Sequence, residues 1–446
     1  MDTNPRHGIE RGMKLKRGTW FNWSGGLRCN PKVVLAPKNE VELAAALRMS
    51  PAPIRVPGTG HSFTPVCTSD GTLIDLSKFA GLRGVDVAAQ TATFGAATPL
   101  WAVGPALHPH GLGLKNMGDI DRQTLAGAVG AGTHGTGATL KSLSADVAGF
   151  QLMLAHGQML NCTAHENADV FATGRCSLGL LGVMTEITMQ ARPAYKLVEK
   201  NFLLTPEELF RDLDRLIAEN RHFEFFWFPY AEHVVCKSLD ESTAVGPVPR
   251  TIDEMRARGE RTSGDGRAFA FINEALPFMP FLLKPAHRLF SQLMPVSDRT
   301  RWSYEIFPSP RTVRFNEMEY AVPREKGPEC LKEIVATVRA TKINTGFPIE
   351  YRTVAADDVW LSPFFERDSA TIAVHQYHRV DTARLFSACE AIFRRFKGRP
   401  HWGKRHTCGA AKLETLYPKF NDFRALRRRL DPGGKFLNPY LRAMFE

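Results

Sequence analysis

The sequence predicts an α+β protein, with a ligand-cradling first domain and a second domain whose sheet is covered by helices. Three observations carry that prediction. At 446 residues the chain is too long for one ordinary core. Strand and helix signals alternate up to about residue 195, punctuated by two Gly-rich stretches. Past Pro193 the texture changes to aromatic-rich runs such as "FEFFWFPY" and "RFNEMEYAVP", with helical stretches between them.

Residues 32–50, "KVVLAPKNEVELAAALRMS", read as a strand, a turn and an amphipathic helix starting near Asn39. Strand-like "PIRVP" then enters the loop Gly58-Thr59-Gly60-His61-Ser62, and "GTLIDLSKF" follows. Residues without Cβ let backbone N–H groups approach an anion closely. The loop is a poor G-x-G-x-x-G fingerprint, because Phe63 stands at the third-glycine position and Thr64-Pro65 follow where a helix would open. "TATFGAATPLWAVGPALHPHGLGL" predicts a short strand and then a helix after Thr98-Pro99. The second Gly-rich stretch, Gly118 to Ala138, sets Gly127, Gly130, Gly132, Gly135 and Gly137 among Ala126, Ala128 and Ala131. Such small residues suit a backbone that passes close to a ligand, and Thr133 and Thr136 offer hydroxyls to phosphate or ribose. Next come a hairpin turning at His156-Gly157 and a strand that ends before Pro193.

In the second half, Glu350 and Arg352 sit two apart on a strand and so share a face. Such a pair either neutralises itself or addresses a polar ligand. Asp357 and Asp358 read as helix-start residues. "TIAVHQYHRV" puts His375 and Tyr377 on one face, whereas His375 and His378 face opposite ways, so no metal site is predicted. Residues from about 240 to 300 have the least regular pattern and read as an insert. Within it "AFAFINEALPFMPFLLKPAHRLF" is broken by Asn273, Glu274, Pro277 and Pro280, which favours a buried cap helix over a membrane-surface segment.

The first twenty residues are polar and lack the apolar region of a signal peptide. Eight scattered cysteines without C-x-x-C spacing point to reduced thiols and a cytoplasmic setting. The net charge of +11 is spread along the chain apart from clusters such as "FRALRRRL", with no nucleic-acid-binding motif. It reads as solvated surface, not as a nucleic-acid site.

Four stretches in order resemble one family: "VPGTGHSF", "GDIDRQTLAGAVGAGTHGTG", "PIEYRTVAADDVWLSP", and the C-terminal run from "HWGKRHT" to "LDPGGKFLNPYL". They are similar to the FAD-linked sugar oxidoreductases among the vanillyl-alcohol-oxidase-like flavoproteins. These include aldono-1,4-lactone oxidases and dehydrogenases, of the L-gulono- and D-arabinono-1,4-lactone types, and the alditol oxidases. The resemblance implies a two-subdomain, PCMH-type FAD-binding domain over 1–195 and a substrate-binding cap with an antiparallel sheet over 196–400. Residues 401–446 would complete the active site and return to the FAD domain.

The resemblance also implies roles. Gly58, Thr59, Gly60, His61 and Ser62 would wrap the FAD pyrophosphate, with His61 bonded covalently to the flavin 8α-methyl; a neutral imidazole is a competent nucleophile near pH 7. Gly118, Asp119, Gly127, Gly130, Gly132, Thr133, His134, Gly137, Val183 and His401 would complete the cofactor site. On the substrate side, Glu350 would orient the reacting hydroxyl, and Arg352 would grip sugar oxygens or stabilise negative charge. Lys404 would add positive charge or help take the alcohol proton, and His375 would line the pocket.

The implied reaction is hydride transfer from an aldono-1,4-lactone to flavin N5, giving an ascorbate-type product. An alditol (polyol) oxidase is the alternative enzyme, and a flavin-binding redox sensor the alternative from another class. Ala131 and Thr133 add bulk around Gly132, which favours a dehydrogenase or slow oxidase using a cytochrome or quinone-like acceptor over O2. A peripheral membrane contact is a further expected partner.

Overall fold

Short parallel strands Val33–Leu35, Thr72–Ile74 and Ile54–Arg55 open the fold, with Thr72–Ile74 central. The computed structural model describes residues 15–446 except 17, 259–263, 277, 294–297, 310 and 312. The expectation for residues 1–14, and the break expected at Pro277, lie outside the described residues. Helix Glu40–Met49 starts where expected: the Asn39 side chain accepts the Glu42 N–H at 2.9 Å, and Leu43, Ala44 and Leu47 are buried. The Gly58–Ser62 loop leaves the end of Ile54–Arg55.

A second, antiparallel sheet runs Met159–Thr163, Val147–Met153, Val183–Pro193, Thr91–Gly95, Leu82–Asp86, with Leu112–Leu114 also on Val183–Pro193. Helix Leu100–Leu107 follows Pro99, as the Thr98-Pro99 signal requires.

The largest sheet is antiparallel throughout and has eight strands. Their order is Asp298–Trp302, Lys196–Leu204, Val234–Ser242, His222–Trp227, Ile349–Val354, Ser369–Tyr377, Phe315–Pro323, Arg399–Pro400. Alternation along each strand divides its faces. Phe225, Tyr351, Ile372 and Tyr320 stand in one cross-strand row. Phe225 stacks on Tyr351 with centroids 4.7 Å apart, and Tyr320 on Phe393 of helix Ala383–Arg395 at 4.8 Å. That face is the apolar core beneath helices Gly327–Ala340 and Ala383–Arg395. The opposite face carries charge.

The last segment returns to the first loop. Phe63 N–H donates to Gly403 O at 2.7 Å, and Thr64 Oγ1 to Trp402 O at 2.7 Å. Arg55 donates to Phe436 O at 2.8 Å, and Asn438 to Pro65 O at 2.7 Å.

Two expectations need correction. Asp357 and Asp358 start no helix. Asp357 is buried and accepts from Ser142 Oγ (2.8 Å), Ser362 Oγ (2.6 Å) and Val359 N–H (3.1 Å), while Asp358 pairs with Arg175 at 2.7 Å. The carboxylates pin a turn-rich connection, an Asx-turn use of aspartate that competes with helix capping. The greasy stretch in the insert is two helices, Gly264–Ala275 and Leu283–Leu293, not one. Leu276, Leu283, Ala286 and Phe290 are buried against Phe228, but Phe271, Phe278 and Phe281 are 75%, 85% and 73% exposed. Among the described residues no helix is long and apolar enough to cross a membrane. All eight cysteines are unpaired thiols.

Candidate active site

The first Gly-rich loop and the second face each other across the larger of two joined cavities, of about 670 and 120 Å³. The reason for glycine is steric at Gly58, where a Cβ would run into the Thr124 side chain. The same holds at Gly135, where it would meet Met117 O and Asn116. Thr59 Oγ1 donates to Arg122 O at 2.7 Å, which ties the two stretches together. Thr124 caps the short helix Leu125–Gly130. Gly58, Thr59, His61, Gly127, Gly130 and Val183 line the larger cavity; Gly60, Ser62, Gly118, Asp119, Thr133, His134 and His401 line the smaller. Gly132, Gly135 and Gly137 lie outside both: Gly132 faces Pro363 and Cys176, Gly135 packs on Met117 O and Asn116, and Gly137 packs on Leu140 and Arg221 O.

His61 stands at the junction of the cavities, stacked on Trp23 with ring centroids 5.5 Å apart. Burial pushes its pKa down to about 4, and the charges of Lys404 and Arg122 add to the effect. The ring is therefore neutral at pH 7.

The smaller cavity is walled by the charged face of the eight-stranded sheet. Register builds this wall: Glu350 pairs with Ala373, and Ala373 with Glu319, so a small residue separates two carboxylates. Beside that row, Glu317 is paired with His375, and Glu224 with Arg352. Arg352 lies 3.0 Å from Glu350 and 3.5 Å from Glu319, all three buried. Lys404 pairs with Glu317, which also stands 3.5 Å from His375. His134 Nε2 is 2.6 Å from Glu319 Oε1. Arg311 pairs with Asp119. Glu350, Arg352, His375 and Lys404 thus meet in one cavity wall although 54 positions separate the first from the last.

These neighbours set the carboxyl groups apart. Burial pushes Glu350 up, Glu224 and Asp119 add to that, and Arg352 only partly opposes it. For Glu317, burial is outweighed by Lys404 and His375, and the carboxyl is held well below its usual range. For Glu319, burial is outweighed by His134 and Arg352. One oxygen, Glu350 Oε1, is buried in this wall with no hydrogen-bond partner. A buried acceptor left open in a cavity is a position for a ligand hydroxyl.

Sequence reasoning passed over Glu317, Glu319, Glu224 and Arg311. The first two carried a readable signal: "RFNEMEYAVP" alternates, so its two acids share a face just as Glu350 and Arg352 do. Glu317, Glu350 and His375 offer ligand atoms within 4.8 Å of one another. Lys404 and Arg352 already engage both carboxylates, so this cluster is a salt-bridged wall.

The cleft fits a flavin dinucleotide. Its floor is backbone where a Cβ would collide, hydroxyls line it, and a neutral imidazole sits where the elongated cavity meets the charged wall.

Comparison with known proteins gives the same picture. The family profile described as D-arabinono-1,4-lactone oxidase matches residues 187–444, and one described as FAD binding domain matches 31–163. The chain is 37% identical to L-gulono-1,4-lactone dehydrogenase of Mycobacterium tuberculosis, covering 95% of this chain and 98% of that one. It is 33% identical to L-gulonolactone oxidase of Mus musculus, over 96% and 99% of the two chains. Among solved structures, a solvent-stable cholesterol oxidase superposes with a TM-score of 0.80 at 18% identity, covering 97% of this chain and 99% of that one. The fold is that of the PCMH/VAO-type flavoenzymes.

Proposed function

The chain belongs to the D-arabinono-1,4-lactone oxidase family, and on that premise we propose that it is an FAD-dependent oxidoreductase acting on a ring alcohol of an aldono-1,4-lactone. The observation that carries the reading is Glu350 Oε1, buried, unpartnered and set in the wall beyond His61. FAD, when bound, supplies the hydride acceptor. Glu350 accepts the hydrogen of the substrate hydroxyl, and its raised pKa suits it to take that proton. Arg352, held on one side by Glu350 and Glu319, presents its guanidinium to the substrate oxygens. Lys404 places an ammonium beside His61 and Glu317, and His375 closes the wall. The cradle residues from Gly58 to Ser62 with Gly118, Gly127 and Gly130 hold the dinucleotide.

An anaerobic substrate panel tests this. Aldono-1,4-lactones are expected to bleach the flavin. Bleaching by alditols alone moves the assignment to an alditol oxidase, and bleaching by neither leaves a redox sensor.

His61 is the covalent anchor in this reading, supported by its neutral ring at the cavity junction. Acid precipitation should keep flavin in the pellet for the natural protein and release it for His61→Ala; flavin wholly in the supernatant from the natural protein removes the bond. The acceptor is a cytochrome or quinone-like molecule before O2, supported by Ala131 facing both cavities and by Thr133, fixed by a 3.0 Å bond from Gln123. The protein works in the cytoplasm with a peripheral membrane contact, supported by its unpaired thiols and by exposed Phe271, Phe278 and Phe281 beside Lys284.

A further inference from the structure

Buried histidines in this protein differ in what their ring nitrogens face. His401 Nδ1 accepts the Gly403 N–H at 3.0 Å, so the ring is neutral with its hydrogen on Nε2; burial holds its pKa at about 3. His287 accepts the Tyr230 N–H on Nδ1 at 3.3 Å and donates from Nε2 to Thr345 O at 2.8 Å, again a neutral ring. His134 meets acceptors on both sides. Its Nδ1 lies 2.8 Å from Gly135 O and its Nε2 2.6 Å from Glu319 Oε1, with both side chains 2% exposed.

A carbonyl oxygen only accepts, so His134 Nδ1 carries a hydrogen. One more proton lies on the short axis between Nε2 and Oε1, and the surroundings decide which side holds it. Arg352 stands 3.5 Å from the other Glu319 oxygen and favours the carboxylate. Glu319 is accordingly held well below the usual carboxyl range: burial works against its charge but His134 and Arg352 prevail. The other charged groups nearby are already matched. Lys404, on the loop after Pro400, is paired with Glu317; Arg311 is paired with Asp119. Glu350, on the strand of Arg352, is pushed toward its protonated form. His401, with ring centroids 5.8 Å from His134, is neutral, and Phe364 packs edge-on against His134 at 4.9 Å. His375, the other histidine facing a glutamate, is 3.5 Å from a carboxylate that Lys404 also holds.

We propose that His134 is a buried imidazolium locked by Glu319, and that it serves as a positioning residue by giving the wall of the flavin cavity a fixed positive charge. The charge count gives it an effect. Glu319 is one carboxylate shared by two cations, His134 and Arg352. When Glu350 takes up the substrate proton, the trio of Glu319, His134 and Arg352 keeps one net positive charge in the wall. Reduction leaves negative charge on the flavin, so a fixed cation in this dry wall favours the reduced form. The inference rests on the assignment of this cavity to FAD.

The test uses the holoenzyme labelled with 15N-histidine. Both ring nitrogens of His134 are expected to be protonated at neutral pH, while His401 shows one bare nitrogen. An unprotonated nitrogen on His134 at neutral pH overturns the proposal. His134→Gln, which removes the imidazolium charge, is expected to weaken sulfite binding to the flavin about tenfold, whereas Glu319→Gln, which leaves Arg352 as one net positive charge, is expected not to weaken it. The same about tenfold shift in the reduction equilibrium lowers the two-electron midpoint potential by ~30 mV. His134→Gln with FAD retained and both readouts unchanged overturns the proposal, because packing alone would leave them unmoved. If the variants do not fold, the NMR measurement on the natural protein decides by itself. Absence of flavin from the natural protein would instead remove the FAD assignment, so the two failures are distinguishable.

Discussion

The Gly-rich cradle and the sheet wall opposite it meet at His61 but are made of different material. The cradle is backbone: its specificity lies in Cβ atoms that are missing, at Gly58 on the cavity and at Gly135 packed behind it, so that the chain passes where a side chain would collide. The wall is side chain: Glu350, Arg352, Glu319, His134, Glu317 and Lys404, charges that are costly to bury and are held because each has a partner. The cradle is made of two short runs of sequence and its tolerance is steric. The wall is assembled by strand register, and its tolerance is electrostatic. Damage should therefore separate: wall substitutions should remove turnover and spare the cofactor, and cradle substitutions should loosen the cofactor and the fold.

The largest effect is expected in the wall. Glu350→Gln keeps the shape of the side chain but cannot take a proton, and should lower kcat by about 10³-fold, in keeping with the usual 10²–10⁴-fold worth of a general base. Arg352→Lys should fail comparably, because a point charge cannot replace a planar fork serving Glu350, Glu319 and a ligand. Both proteins should keep the flavin absorption spectrum. Steady-state kinetics with that spectrum check the pair, and loss of flavin from either would erase the division between cradle and wall.

The cradle should answer through stability. Gly135→Ala forces a methyl into Met117 O and Asn116, which should cost about 1–3 kcal/mol, a typical overpacking penalty. A lower Tm and reduced FAD content per chain are the expected readings. A variant with unchanged Tm and cofactor but impaired kcat would place Gly135 on the wrong side of the comparison.

The smallest and most discriminating effect is in pH dependence. Because Glu350 is raised by burial, the low-pH limb of kcat/KM should lie above the ordinary carboxyl value of about 4.3 and vanish in Glu350→Gln. Stability should run the other way for its neighbours. Glu317 and Glu319 are held low in the fold, so their contribution is present above the unfolded carboxyl pKa and lost as pH falls through their folded values. Of these three, Glu350 favours the fold at low pH and loses that contribution as pH rises through its raised pKa. Acid titration of Tm for the Glu350→Gln and Glu317→Gln proteins should show slopes changed in opposite senses.

Much of the cradle was legible because its signals are short-range. Asn39 caps its helix, Pro99 precedes one, and His156-Gly157 turns a hairpin. Glycine at Gly58 likewise announces a close approach, although its partner there, Thr124, is 66 positions away. Local reading also has a characteristic error. Asp357 carries the helix-capping residue type but is engaged by Ser142, 215 positions away in sequence, and no local rule anticipates that competition. Gly132 and Gly137 look like their cradle neighbours in sequence yet face Pro363 and Leu140 outside the cavities. The Glu350–Arg352 pair was legible because a strand's period of two fixes its face whatever the strand packs against.

By itself, then, the sequence determined the α+β class, the two Gly-rich stretches, the position of the His61 loop and the family to which the chain is similar. All of these are set by neighbours within a few residues or by motifs in order. Only the tertiary structure decided that Glu319 faces His134 across 185 positions, that Lys404 pairs with Glu317, and that Glu350 rises while Glu317 and Glu319 fall. The physical reason is that a buried charge takes its properties from the groups within a few ångströms of it. In this wall those groups come from antiparallel strands and returning loops, and their register is set by the whole sheet.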